Sequence, residues 1–204
     1  LDEPFSALDR PTRDALTDDL AQVLRDTGVT TLIVTHDRDE AARLGDEVVV
    51  MIGGRIRQSG TPAEVFGAPA DEDVAAFVGV ETIVEAAVTA NTGGLLTLQA
   101  AGHVIEAMAP AGDVPKQALV CLRPEDVSIA PATGEAAAGS ARNHLPGVVT
   151  RIVYTGADAR VEVDCGFTTI ARITRRSAEE LALAPGARVV ASFKATAVHV
   201  IPNG

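Results

Sequence analysis

Leu122-Arg123-Pro124-Glu125-Asp126-Val127-Ser128-Ile129-Ala130-Pro131 and Phe193-Lys194-Ala195-Thr196-Ala197-Val198-His199-Val200-Ile201-Pro202 read alike. Both run apolar, basic, three variable positions, Val, polar, β-branched, apolar, Pro. Each closes a stretch of short alternating strands punctuated by Gly and Pro, over residues 81–131 and 140–202. Two copies of one β unit is the simplest reading of such a repeat. Between them, Ala132 to Gly139 is rich in Ala and Gly, too small to pack, and reads as a linker. One helical turn is expected at Ser177 to Leu183. Residues 80–204 are therefore expected to be all-β, a small two-lobed barrel or sandwich.

Upstream the period changes. Residues 1–79 alternate helix and strand, the pattern of an α/β piece. Arg10-Pro11 opens a helix with Leu16, Leu20, Val23 and Leu24 on one apolar face, and Gly28 stops it. Val29 to Thr35 is β-branched and suits a buried parallel strand. Asp37 to Leu44 reads as a helix ending at Gly45. Glu47 to Ile52, Gly53-Gly54 and Arg55 to Gln58 read as a hairpin. Thr61-Pro62-Ala63-Glu64 is a capping box with Pro at the first helical position. Asp71 to Val78 reads as one more helix, and the boundary between the two parts is placed after Gly79.

Composition narrows the function. A net charge of -11 excludes the basic stripe that a nucleic-acid partner requires. Lys116 and Lys194 are the only lysines, Trp is absent, and the core must be Val, Leu, Ile and Ala. Cys121 and Cys165 sit in apolar strand-like runs without metal spacing. Two buried free thiols in a reduced compartment are expected, with a disulfide as the alternative. No apolar run reaches the ~18–20 residues that cross a bilayer, and no signal peptide is visible. His103, His144 and His199 are scattered, and no metal site is expected from them.

The chemistry-bearing residues begin at once. Leu1-Asp2-Glu3-Pro4-Phe5-Ser6-Ala7-Leu8-Asp9 is followed by Val34-Thr35-His36-Asp37. Paired carboxylates and a His at a strand end can hold magnesium, orient a water and touch a terminal phosphate. The opening string resembles the Walker B motif and D-loop of the ATP-binding-cassette (ABC) ATPases. The resemblance implies that Asp2 holds magnesium and that Glu3 polarises the attacking water. It implies that Asp9 contacts the partner ATPase subunit and that His36 is the switch histidine reaching the γ-phosphate of ATP. Gly53-Gly54-Arg55-Ile56 and Gly60 to Phe66 resemble the end of importer-type ATPase domains. No Gly-x-x-x-x-Gly-Lys-Ser/Thr and no Leu-Ser-Gly-Gly-Gln occurs in these residues. Phosphoryl transfer is positioning plus electrostatics, so this polypeptide alone is expected to be inactive toward ATP. The absence of an initiator Met reads as a truncated start.

The β region carries a second resemblance. Leu122 to Val127 is similar to TOBE domains, and Ser140-Ala141-Arg142-Asn143-His144-Leu145-Pro146-Gly147 to the opening of Mop domains of molybdate-binding proteins. Ile173 to Leu181 and Phe193 to Val198 match that family in order. A tetrahedral dianion needs hydrogen-bond donors and one or two cations. Ser140, Arg142, Asn143, Ser177, Lys194 and Thr196 are the candidates, with Ser177 readable equally as a helix N-cap and Arg142 as a surface ion pair. In that family the sites often form between chains.

The fold expected is thus an α/β fragment of an ABC ATPase domain followed by an OB-like TOBE/Mop barrel. The resemblance implies the ATP-binding subunit of a molybdate or tungstate importer, using ATP and Mg. It would act as a homodimer against a transmembrane permease, in the cytoplasm and peripheral to the inner membrane. Two alternatives stay open. One is a stand-alone oxyanion-binding or storage protein. The other is an importer subunit for another solute (ferric iron, sulfate or polyamine) with the β domain as dimer scaffold.

Overall fold

Pro in the first turn and Gly28 in the left-handed region (φ 62°) delimit helix α1, Arg10–Thr27, because Pro needs no N–H there and Gly tolerates positive φ. The computed structural model describes residues 1–110, 112, 116–132 and 139–203. They divide into two units, Leu1–Ala70 and Asp71–Gly204.

In the first unit, α1 is followed by α2 (Arg38–Leu44), the antiparallel hairpin β1 (Val48–Ile52) and β2 (Arg55–Gly60), and α3 (Pro62–Gly67). The hairpin turns on Gly53 and Gly54, both at positive φ, as a two-residue turn of this hand requires. The Thr61–Glu64 capping box forms on both sides, with Pro in the first turn of α3.

One expectation for this unit is met in part and one fails. The α1 residues that are buried are Thr17 and Ala21, while Leu16 and Val23 are 41% and 54% exposed. The cause is the neighbour: α2 meets α1 through ion pairs of Arg13 with Asp37 and of Arg43 with Asp14 and Asp18. The packed face of α1 therefore mixes Arg13, Thr17 and Ala21 with half-buried Leu20 and Leu24, and only Leu16 and Val23 of the apolar set stay exposed. Val29 to Thr35 makes no buried strand, and Leu32 is 80% exposed. Its ladder is one parallel bridge, Asp2 to Val34. An interior parallel strand needs a neighbour on each side and helices over both faces, and within this unit only Leu1 to Glu3 lies alongside.

The second unit opens with α4 (Glu72–Phe77). Asp71 caps it by accepting from Val74 N–H. Ala75 and Val80 pack with Cys121 and Ile201. This helix thus belongs with the β unit, and the division falls ahead of Gly79.

Among the described residues, ten strands then form two five-stranded antiparallel sheets. One has the order β12-β6-β3-β4-β5 and the other β10-β9-β8-β11-β7. Their ranges are β3 Thr82–Thr92, β4 Leu95–Ala100, β5 His103–Met108, β6 Gln117–Leu122, β7 Ser128–Pro131, β8 Asn143–Thr155, β9 Asp158–Asp164, β10 Thr168–Thr174, β11 Arg188–Phe193 and β12 His199–Pro202. A short helix α5 (Arg175–Glu180) follows β10, starting ahead of the expected Ser177.

The repeat is real in three dimensions, and its halves exchange their last strands. β7 leaves the first half to pair with β11, and β12 leaves the second to pair with β6. The registers correspond: Ser128 opposes Ser192 where His199 opposes Cys121. Thr82 opposes Leu122 where Asn143 opposes Phe193. Even the bulges are duplicated, between Val88 and Ala90 and between Val149 and Arg151. At each, the extra threonine hydroxyl donates across, Thr89 to Thr97 O and Thr150 to Glu162 O. Inward residues of both sheets make one core, with Leu96, Leu98, Ile105, Val120 and Leu122 against Leu145, Val149, Val161, Val163 and Phe193.

The barrel expectation is met only in its strands. Among the described residues the sheets are open, the edges β5 and β12 touching without a ladder, as do β7 and β10. Side chains bridge the corners instead. Asn143, buried at the start of β8, accepts from Glu106 N–H (2.7 Å) and donates to Glu106 C=O (2.9 Å). The corresponding Thr82 accepts from Ile170 N–H at 2.9 Å. Both polar side chains are 1% exposed and satisfied, as burial demands.

Both cysteines are free and buried. Burial pushes the Cys121 thiol up to about 12 and the Cys165 thiol up from its ordinary value, so both behave as small apolar groups. The expected linker at Ala132 to Gly139 falls mainly on residues 133–138, outside the described residues.

Candidate functional site

Two groups of candidate residues lie on the two units. In the first, the parallel bridge does the positioning. Glu3 N–H donates to Val34 O and Val34 N–H to Leu1 O, each at 2.8 Å. His36, two residues beyond Val34, is thereby brought level with Glu3, and its Nδ1 lies 2.7 Å from the carboxylate. Glu3 has φ 45°, a region costly for a residue with a side chain. The hydrogen bond to the Glu3 carboxylate, and then that group's charge, raises the His36 pKa above the ordinary 6.5. The imidazole is 74% exposed, so the pair is open to a ligand.

Asp2 is exposed beside Glu3, whereas Asp9 precedes α1 and makes no capping hydrogen bond from its side chain. The structure therefore brings Glu3 and His36 together, with Asp2 adjacent, and leaves Asp9 outward.

A supporting network behind His36 was not read from the sequence. Asp37 caps α2, accepting from Asp39 N–H (2.8 Å) and Glu40 N–H (3.2 Å). Arg13 donates to Asp37 and to Leu8 O, and Thr35 donates to buried Glu40 at 2.6 Å. Burial opposes ionisation of Asp37, but the Glu40 and Asp39 N–H groups and Arg13 outweigh it and hold its carboxyl below the usual range. The legible signal was the spacing of Asp37 and Glu40, an acidic capping pattern.

In the second unit the β8–β11 pairing sets Asn143 against Phe193. Ser140 and Arg142 on one side and Lys194 and Thr196 on the other therefore lie at one corner, next to β5. All four are exposed. Arg142 donates to Glu106 at 3.1 Å, the ion pair that the sequence left open as one of its roles. Asn143 is engaged in bridging the sheets, so its amide faces Glu106 rather than solvent. His144 steadies the approach, one ring nitrogen 2.9 Å from Ser192 Oγ and the other 3.0 Å from Ala141 O.

Ser177 does not join this corner. Thr174 pairs with Asp158 and Asp158 with Thr155, at the far end of the 13-residue β8 from Asn143. Nor is Ser177 the N-cap of α5. Thr174 caps it, accepting from Ser177 N–H at 3.1 Å, and the two hydroxyls lie 2.8 Å apart.

Residues 139–200 match the family model of the TOBE domain. Over most or nearly all of its length the chain is also similar to ATP-binding subunits of ABC importers. Over 207 residues it is 35% identical to the molybdate/tungstate import ATP-binding protein WtpC of Pyrococcus horikoshii, covering 99% of this chain and 56% of that protein. It is 36% identical over 166 residues to the spermidine/putrescine import ATP-binding protein PotA of Mesorhizobium japonicum, covering 80% of this chain and 43% of that protein. The chain thus spans about half the length of the curated relatives it matches. The cytoplasmic molybdate-binding protein ModG, solved with molybdate bound, superposes with a TM-score of 0.53 at 20% identity. It covers 61% of this chain and 97% of that one, a likeness of fold. No described helix is long and apolar enough to cross a membrane.

Proposed function

We propose that this chain is part of the ATP-binding subunit of a molybdate or tungstate importer, and that its β unit binds the transported oxyanion. The observation that carries the reading is the corner formed by Arg142 and Lys194. In a chain of net charge -11 with two lysines, the pairing of Phe193 with Asn143 supports a grouping of exposed Lys194 and Thr196 with exposed Ser140 and Arg142 at one end of β8 and β11. Cations and hydroxyls are what a tetrahedral dianion requires. Occupancy of this corner by cytoplasmic oxyanion would restrain transport when the ion is abundant. Ser177, remote within one chain, would contribute through a second copy in a homodimer or larger assembly.

In the first unit, Glu3 would orient the attacking water and His36 would reach the terminal phosphate of ATP, with Asp9 at the partner ATPase subunit. Among the described residues there is no cluster of three or more His, Cys, Asp or Glu to cage a metal. Exposed Asp2 suits Mg, which binds through one or two carboxylates together with nucleotide phosphates and water. Bound Mg would neutralise phosphate charge. The chain's own share is to place Asp2, Glu3 and His36 on one bridge. The subunit would work in the cytoplasm, docked on a transmembrane permease.

A second reading, an importer for another solute with the β unit as a dimer scaffold, draws on the Arg142–Glu106 pair and on the spermidine/putrescine relative. Calorimetry separates the two. Titration with molybdate or tungstate is expected to give saturable heat, with sulfate and phosphate weaker. Silence toward all four anions would favour the scaffold.

A further inference from the structure

The Arg142 corner already holds an anion, and it belongs to the protein. Arg142 Nη1 lies 3.1 Å from Glu106 Oε2. The Glu106 backbone cannot drift away, because the Asn143 side chain holds both its N–H and its C=O. The carboxylate itself is held less firmly. Arg142 is 61% and Glu106 30% exposed, with one close contact between them. An exposed pair of this kind is weak and exchanges readily.

The corresponding corner of the other half is built differently. The register that matches Thr82 to Asn143 puts Glu81 where Arg142 stands and Glu125 where Thr196 stands. Glu81 is gripped by two arginines, Arg160 at 2.6 Å and Arg172 at 3.7 Å. Glu125 pairs with Arg123 at 3.9 Å. At these two positions that corner carries carboxylates where the other carries donors, with Arg123 in the place of Lys194.

We propose that Glu106 is a specificity-determining residue of the anion corner: its carboxylate is a resident competitor that an incoming oxyanion displaces from Arg142. The proposal rests on the oxyanion reading above. A dianion drawn to Arg142 and Lys194 together can displace one side-chain carboxylate, whereas a weakly bound monoanion cannot. Glu106 thereby raises the concentration at which the corner fills and disfavours the wrong anion.

The test is calorimetric titration of tungstate into the full chain. The variants are Glu106→Gln, Arg142→Gln, the double variant, and Glu125→Gln as a control for net charge. Glu106→Gln is expected to bind roughly two- to five-fold tighter, the worth of an exposed ion pair. The control is expected to match the parent, and the gain is expected to vanish in the double variant. Glu106→Thr, well suited to an edge strand, is a second variant read the same way if the first does not fold. Affinity in Glu106→Gln equal to or below that of a tungstate-binding parent overturns the proposal alone. So does an equal gain in Glu125→Gln, which would reduce the effect to net charge. No binding by either the parent or Glu106→Gln overturns the oxyanion reading and the proposal together.

Discussion

His36 carries the pH dependence of the first unit, and its direction follows from Glu3. The side-chain hydrogen bond and then the charge of Glu3 favour the imidazolium, raising the folded pKa above the unfolded value near 6.5. The pair's stabilisation is therefore fully present below about pH 6.5 and is lost as pH rises through the raised folded value. An NMR titration, with His36→Gln assigning the resonance among the four histidines, is expected to give a midpoint above that of a free imidazole. Glu3→Gln should lower it. A midpoint indifferent to Glu3→Gln would remove the pair as its cause. At this scale the sequence was informative about chemistry and less so about orientation. Glu3 and His36 were legible as partners in one site. That the Asn143 amide would be spent on Glu106 was not, because a side chain's burial depends on what packs over it.

Among elements, β8 is the one most constrained by close approach. A Cβ on Gly147 would lie 2.6 Å from Val163 Cγ1 and 2.7 Å from both Asp164 O and Cys165 Sγ. Real Cβ atoms do not come so near, and two of the obstacles are a buried thiol and a backbone carbonyl. Gly147→Ala is expected to destabilise the chain by about 1–3 kcal/mol, the usual cost of overpacking, measured by urea unfolding. In the first half the corresponding positions hold Ala86 and Ala100, both buried. Gly147→Ala with Cys165→Ala should therefore recover part of the loss, and a double variant no more stable than the single would show that Cys165 is not the obstacle. The elements themselves were largely legible. The Gly53-Gly54 hairpin and the Thr61–Glu64 box have local causes spanning a few residues, and both formed. The strand read at Val29 to Thr35 did not, because a β-branched run is only a strand in the company of others.

For the β unit taken whole, stability is shared between its halves. Each surrenders its last strand to the sheet of the other, and the core is assembled from both inner faces. Neither half can complete a sheet or cover its apolar side alone. Residues 80–132 and 139–203, produced separately, are expected to give poorly dispersed amide spectra, and mixing should restore the dispersion of the intact unit. A half that folds by itself would show the exchange to be unnecessary.

By itself the sequence determined the two-part organisation, the repeat, the caps and turns, and the residue types on which any chemistry must rest. These are set by patterns within a dozen residues or by plain identity between segments. Only the tertiary structure decided that β7 and β12 trade places, that the sheets stay open, and that Arg142 and Lys194 share a corner from which Ser177 is absent. Pairings between residues so far apart in the chain depend on which surfaces exclude water together, and no local pattern encodes that.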